Sequence, residues 1–230
     1  MDQLSLFTLP TPTMERLDPS RCEARPINYE TAANMVETYH YAHRVPSIVV
    51  SIGMYVDDVL AGCITYGIPP NRNVLACCGE EYIPNALELN RLFIHDWAGR
   101  NSESWLIGQS FSMLRNNWPD RHILVSYADP IQDHAGYIYR ATNWLYTGTG
   151  GATPSEVIVN GRKISEKHLY NLYGTHKRDA LIKIGLTIEE VPVEGKHRYV
   201  YFLGSKKQRK ELRAALRWPV LPYPKRDSDD

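Results

Sequence analysis

Ala86-Leu-Glu-Leu-Asn-Arg-Leu-Phe-Ile94, then Asn101-Ser-Glu-Ser104 leading a run to Asn117, then Ile123-Leu-Val-Ser-Tyr127, is the stretch that decides the architecture. The first segment alternates and reads as a strand. Asn101 or Ser102 caps a helix, with Glu103 in its first turn and Pro119 stopping it. The third is short and apolar, a buried strand. Together they form a βαβ unit. Upstream, Tyr29 to Tyr39 reads as a helix through Ala32, Ala33, Met35 and Val36. Ser47 to Val56 and Val59 to Tyr66 read as strands joined at Asp57-Asp58, a hairpin signal. Downstream come a short helix from His134 to Ala141 and a strand from Trp144 to Thr147. A hairpin from Glu156 to Ile164 turns at Asn160-Gly161. Leu169 to Ile184 is helical in part, Arg198 to Leu203 is a strand, and Ser205 to Arg217 is a basic helix.

The order is β-α-β-β-β-α-β-α-β followed by an added C-terminal β/α region. That is an α+β class, a mixed sheet flanked by helices. Residues 1–24, with Pro10, Pro12 and Pro19, read as a flexible tail. Structure is expected from about Arg25, with the domain spanning 25–218. Within it 156–218 is a basic extension, and 219–230 is expected to be a disordered tail.

The chain has 230 residues, with 26 Lys and Arg against 26 Asp and Glu, 43 % hydrophobic and 23 % charged. These values exclude collagen-like, coiled-coil and wholly disordered classes. No run approaches the roughly 18 apolar residues of a membrane span. The first residues lack a basic n-region and a long apolar core, so a cytoplasmic protein with no membrane partner is expected. The cysteines, Cys22, Cys63, Cys77 and Cys78, contain no C-x-x-C pair, and reduced thiols are expected.

The zero net charge hides an asymmetry. Residues 1–155 hold 10 basic and 16 acidic residues, and residues 156–230 hold 16 and 10. The basic half points to a polyanion. Lys206, Lys207, Arg209 and Lys210 are the candidate contacts, along with Arg162 and Lys163 in the Asn-Gly hairpin. A solvated helix face is the plainer account of the same run.

Chemistry gathers at a few residues. Arg91 ends a central strand, where a charge needs an anion or a carboxylate such as Glu88. Asn101 to Ser104 sit at a helix N-terminus, which favours anions. Asp129 follows a buried strand, at the end where α/β sites collect. Tyr139 lies in a helix able to fold back over that strand end and could act as a general acid. His40 and His43 have i, i+3 spacing with Tyr41 between them, half a metal site at best.

Two resemblances add to this. Gln3-Leu4-Ser5-Leu6-Phe7 resembles the bacterial sliding-clamp-binding pentapeptide at all five positions, with apolar anchors for a groove and an amide for a directional hydrogen bond. Over roughly residues 28–150 the chain resembles the Mom family of phage DNA-modification proteins. The matching segments are Tyr39-His40-Tyr41-Ala42-His43-Arg44, Tyr66-Gly67-Ile68-Pro69-Pro70-Asn71, Glu88-Leu89-Asn90-Arg91-Leu92, Asn101-Ser102-Glu103-Ser104, and Val125 to Asp129 with His134 to Trp144.

The Mom resemblance implies a GNAT-like fold and conversion of adenine in double-stranded DNA to an N6-carbamoylmethyl form, which shields phage DNA from host restriction. It implies that Asp129, Tyr139, His40 and Tyr41 belong to the active site, and that Arg91, Asn101, Ser104 and Tyr66 contact the donor. Iron, with His40 and Asp129 as its candidate ligands, is a further implication, and His40 as a general base or a base-edge contact is the equal alternative. Flipping of the base would use aromatic surfaces, with Tyr41, Tyr66, Tyr127 and Trp144 near the site. One departure bears on the donor. The segment His95 to Ser104 lacks the double-glycine loop with which acetyl-CoA enzymes of this fold cradle pyrophosphate. A glycyl donor such as glycyl-tRNA is therefore expected, with acetyl-CoA as the alternative, and tRNA becomes a possible partner of the basic half. An ordinary acyltransferase on protein or small molecule, and a non-catalytic antirestriction binder, are the other readings.

Overall fold

The computed structural model describes residues 15–130, 136–150, 156–175, 177–190 and 195–224. The proposed clamp motif, residues 3–7, lies outside them, as do His134 of the quoted motif and the side chain of Lys163. In chain order the elements are β1 (Cys22–Pro26), α1 (Tyr29–Tyr39), β2 (Val50–Val56), β3 (Val59–Gly67), α2 (Arg72–Leu75), β4 (Ala86–Ile94), α3 (Ser102–Asn117), β5 (Ile123–Ala128), α4 (Tyr137–Ala141) and β6 (Leu145–Gly150). They continue with β7 (Glu156–Val159), β8 (Arg162–Ser165), α5 (Glu166–Tyr173), α6 (Arg178–Lys183), β9 (Ile188–Glu190), β10 (Lys196–Phe202) and α7 (Lys206–Ala215).

Local chemistry explains the ends of these elements. Asp57 and Asp58 take left-handed φ values of 47° and 64°, and Asn160 and Gly161 take 49° and 76°. Both hairpins therefore turn with the twist of their strands. The Asn28 side chain accepts from the Thr31 amide at 2.8 Å and starts α1. Ser205 and Gln208 form a reciprocal capping box at α7.

Seven strands form the main sheet in the order β1-β2-β3-β4-β5-β10-β6. All neighbours are antiparallel except β4 and β5, the parallel pair expected of a βαβ unit. Alternation along β5 sorts the core into two faces. Leu124 and Ala128 pack with Leu106, Ile107, Phe111 and Leu114 of α3. Ile123 and Val125 face the other way, toward Val74 of α2 and Leu212 of α7. Met35 and Val36 of α1 cover Cys63.

Three sequence expectations need correction. First, 156–218 is not simply an added region. β10 enters the main sheet between β5 and β6, pairing His197–Phe202 with Ile123–Ala128. Only β7, β8 and β9, with α5 and α6, form a separate small sheet. Second, order begins before Arg25. Arg100 donates its amide to Glu15, Leu17 donates to Arg100, and β1 starts at Cys22. As a sheet edge, β1 tolerates Pro26 at its end. Third, the tail is tied down at Leu221 and Tyr223. Leu221 donates its amide to the Tyr146 carbonyl at 2.9 Å, and the Tyr223 hydroxyl donates to the Trp144 carbonyl at 2.6 Å. Just before them, the Trp218 ring lies 3.6 Å from the Arg198 guanidinium.

Candidate active site

The parallel register joins Ala86–Leu89 to Ile123–Ser126 and then stops, while β4 runs on to Ile94. Where the two strands part, a cavity of about 320 Å³ opens. Asn90–Ile94 form one wall and Tyr127–Asp129 the other. His40 and Tyr41, at the end of α1, and Gly136–Tyr139 complete it, with Glu103 at its edge. The volume is that of a small-molecule site.

A bulge aims the first wall. Pairing steps from Thr65–Arg91 to Tyr66–Leu89, leaving Asn90 as the extra residue. Its side chain accepts from the Thr65 hydroxyl at 2.6 Å and donates to the Ser47 carbonyl at 2.8 Å. Arg91 then donates twice to the Arg44 carbonyl, at 3.2 and 3.1 Å, and to the Asn90 carbonyl at 2.6 Å. Burial holds its guanidinium below the ordinary value, with Tyr41 and Glu88 opposing. Burial likewise pushes the Glu88 carboxyl up, against the fields of Arg91 and Lys196.

On the opposite wall, Ser126 settles the direction of the Tyr139 proton. The Ser126 hydroxyl donates to the Leu89 carbonyl at 2.8 Å, and a carbonyl can only accept. Its oxygen, 2.7 Å from the Tyr139 hydroxyl, therefore accepts from Tyr139. Burial pushes the Tyr139 phenol up to about 12, although Ser126 pulls it down. Tyr139 is held between Tyr199, stacked at 4.8 Å, and Trp144, edge-on at 5.2 Å. Gly136, just before α4, has φ 75°, and a Cβ there would come within 2.5 Å of the Tyr199 ring.

His40 is buried, and its Nδ1 accepts from the Ala42 amide at 3.1 Å, which assigns the ring proton to Nε2. Its ring lies 4.3 Å from Tyr41, which is 53 % exposed. His43 does not join it. His43 is exposed, outside the cavity lining, with Nδ1 at 2.9 Å from the Glu37 carbonyl. The Asp129 side chain is 15 % exposed, and its Oδ2 lies 2.8 Å from Lys196 Nζ.

The remaining expected donor contacts scatter. Asn101 lines a neighbouring cleft of about 360 Å³ that shares Ile94 and Glu103 with the cavity. It sits at the α3 N-cap with φ 73°, not as a side-chain cap. Ser104 donates to the Asn101 carbonyl at 3.0 Å and lines neither space. Tyr66 is fully buried in the core with its hydroxyl 2.6 Å from Ser110, so it does not reach a ligand. Trp144 is also core, acting through its contact with Tyr139. Lys206, Lys207, Arg209 and Lys210 lie exposed on α7, and Arg162 is exposed in the β7–β8 hairpin. Sequence reading did not single out Ser126, Lys196, Phe93 or Tyr137. Ser126 alone carried a signal, as the polar residue inside an apolar strand.

A metal fits poorly. Among the described residues no three His, Cys, Asp or Glu side chains converge on one point. His40, Glu103 and Asp129 line the same cavity without converging, so these described residues form no chelating set there.

A family model for the Mom protein family matches residues 21–225. The chain belongs to the Mom family. It is 29 % identical over 200 residues to the methylcarbamoylase Mom of Escherichia phage Mu, spanning 84 % of this chain and 80 % of that protein. Among solved structures, a variant of the SpeG spermidine N-acetyltransferase of Vibrio cholerae is similar with TM-score 0.48 at 12 % identity, over 85 % of this chain and 99 % of that one. A YncA acetyltransferase of Salmonella typhimurium with acetyl-CoA gives 0.47 at 10 %, over 80 % and 95 %. In this Mom-family chain antiparallel strands lead into one parallel pair that splays, with the cavity in the splay. No helix among its described residues is long and apolar enough to cross a membrane.

Proposed function

We propose that this chain is a DNA-modifying transferase that converts adenine to N6-carbamoylmethyladenine in phage DNA and so protects that DNA from host restriction enzymes. One observation carries the reading. His40, Tyr41, Arg91, Asp129 and Tyr139, from four separate stretches of a Mom-family chain, line one cavity. The name of the phage Mu relative, a methylcarbamoylase, agrees with it.

The chemistry sets the demands. The adenine amine is a weak nucleophile lodged in the base stack, so the base must leave the duplex. Tyr41, Phe93, Tyr127 and Tyr137 give the cavity aromatic surfaces on which a flipped base can stack. Asp129 supplies an acceptor for the N6 hydrogens, Arg91 a positive wall for the donor's carbonyl, and Tyr139 a proton. The donor is an activated glycyl ester, with glycyl-tRNA the leading form. Attack of N6 on the glycyl carbonyl expels the tRNA hydroxyl, which Tyr139 protonates. The glycyl amine then attacks adenine C6, with the C6–N6 bond breaking and a proton passing to the departing amide nitrogen. The old N6 becomes the carboxamide nitrogen, so the product is carbamoylmethyl with no redox change, whereas an acetyl group lacks the nitrogen. The basic face of α7 contacts DNA or tRNA phosphates. Gln3 to Phe7 recruit the sliding clamp, so that modification follows replication. Clamp binding abolished in a Leu6→Ala, Phe7→Ala variant is expected; equal binding by both, or by neither, ends that part.

The test is mass spectrometry of nucleosides from bacteria expressing the wild type or Tyr139→Phe, with synthetic carbamoylmethyl and glycyl isomers as chromatographic standards. Carbamoylmethyl-deoxyadenosine with the wild type only is the expected result. Unmodified DNA beside soluble protein would turn the reading toward an ordinary acyltransferase.

A further inference from the structure

Beside the cavity, outside its lining, stands a cation that none of the motifs quoted from the sequence contains. β10 runs antiparallel to β5, with His197 opposite Ala128. Lys196, one residue before His197, therefore stands beside Asp129, one residue past Ala128. The contact follows from this register: Lys196 Nζ lies 2.8 Å from Asp129 Oδ2. The two ends differ in environment. The Asp129 side chain is 15 % exposed and lines the cavity, while the Lys196 side chain is 53 % exposed and lies outside the lining. Lys196 also acts through its field on Glu88, the buried carboxyl of the adjoining strand.

We propose that Lys196 is a positioning residue: it holds the Asp129 carboxylate in place at the cavity mouth, where that carboxylate meets the amine of the substrate base. This rests on the transferase reading above. Asp129 leaves its strand just before Pro130, and the ion pair with Lys196 ties it laterally. An ammonium on the neighbouring strand supplies that tie from a held backbone, because the β10–β5 pairing ends one residue from each partner and Lys196 itself pairs with Gly150 of β6. A surface ion pair between mobile chains adds little. Here one partner is nearly buried and the other is anchored by a sheet, so the pair fixes geometry, and an error of about 1 Å in a reacting group can cost 10²-fold in rate.

The experiment compares Lys196→Met and Lys196→Arg with the wild type in the full chain. Modified deoxyadenosine is quantified from cellular DNA, and melting temperature and salt-dependent DNA affinity are measured on purified protein. The expected result is modification reduced about 10- to 100-fold in Lys196→Met, with affinity and melting retained, and recovered to within about threefold by Lys196→Arg, which keeps the cation. Three results would overturn the inference: wild-type modification in Lys196→Met, weakened affinity with a salt slope lower by about one, which marks a phosphate contact, or a fall in melting that accounts for the loss. Absence of modified base from the wild type would instead strike the transferase reading itself.

Discussion

Tyr139 gives its proton inward, to Ser126, in the resting arrangement. To protonate a leaving group it must release that proton toward the cavity, and Ser126 can then turn from the Leu89 carbonyl to the phenolate. Ser126→Ala is expected to lower modification without changing DNA affinity, measured by nucleoside mass spectrometry beside a binding titration. Tyr139→Phe is expected to lower it about 10²- to 10⁴-fold, the usual reach of a positioned acid. The pH dependence of stability has a definite sign. Tyr139 and Tyr127 are pushed up to about 12 by burial, against about 10 in an unfolded chain. Below pH 10 both states keep the proton. Between 10 and 12 the unfolded state loses it first, so stability falls as pH rises. Tyr139→Phe is expected to flatten that fall, which denaturation midpoints at pH 9 and 11 would record. At this scale the sequence was partly legible. Asp129 stood out as a charge at a strand end; Arg91 was read the same way, but it lies inside β4, where the bulge at Asn90 precedes it. Tyr66 misled, because a tyrosine in an apolar strand reads alike whether it walls a cavity or fills a core. Lys196 gave no sign, since its meaning lies in the register of two strands some seventy positions apart.

Elements hold these residues in place by close packing. Gly136→Ala would place a Cβ against Tyr199 at a backbone angle that disfavours side chains, and Tyr199 is the ring on which Tyr139 stacks. A stability loss of about 1–3 kcal/mol is expected, with modification falling further than the melting point alone explains. The C-terminal segment acts as a strap, tied to β6 by Leu221 and to Trp144 by Tyr223. Tyr223→Phe removes one hydrogen bond, worth about 0.5–1.5 kcal/mol, and should lower the melting temperature by a few degrees. β4, α3 and β5 were legible because local patterning decides them, and the structure begins and ends β4 at the expected residues. The strap was not. Its prolines and polar residues read as disorder, and only the grooves it meets give it a conformation.

The whole molecule divides its charge as its sequence does, with basic residues late in the chain. Replacing Lys206, Lys207, Arg209 and Lys210 by Ala is expected to weaken DNA binding uniformly across sequences and to reduce the salt slope by about 0.9 for each phosphate that is no longer neutralised. Leu212, which anchors α7, is untouched, so the melting temperature should hold. The mixed sheet was legible from element order, but the position of β10 was not, because nothing local in that strand names its neighbours. That position has a consequence for timing. A strand that leaves the ribosome after both of its neighbours, β10, fills the gap between β5 and β6. Until it emerges, β5 lacks a partner on that flank and the carboxylate at its end lacks its lysine. A chain still being translated is therefore unfinished around its reaction centre, and a nonsense fragment ending before residue 196 would lack both the ring on which Tyr139 stacks and the lysine beside Asp129.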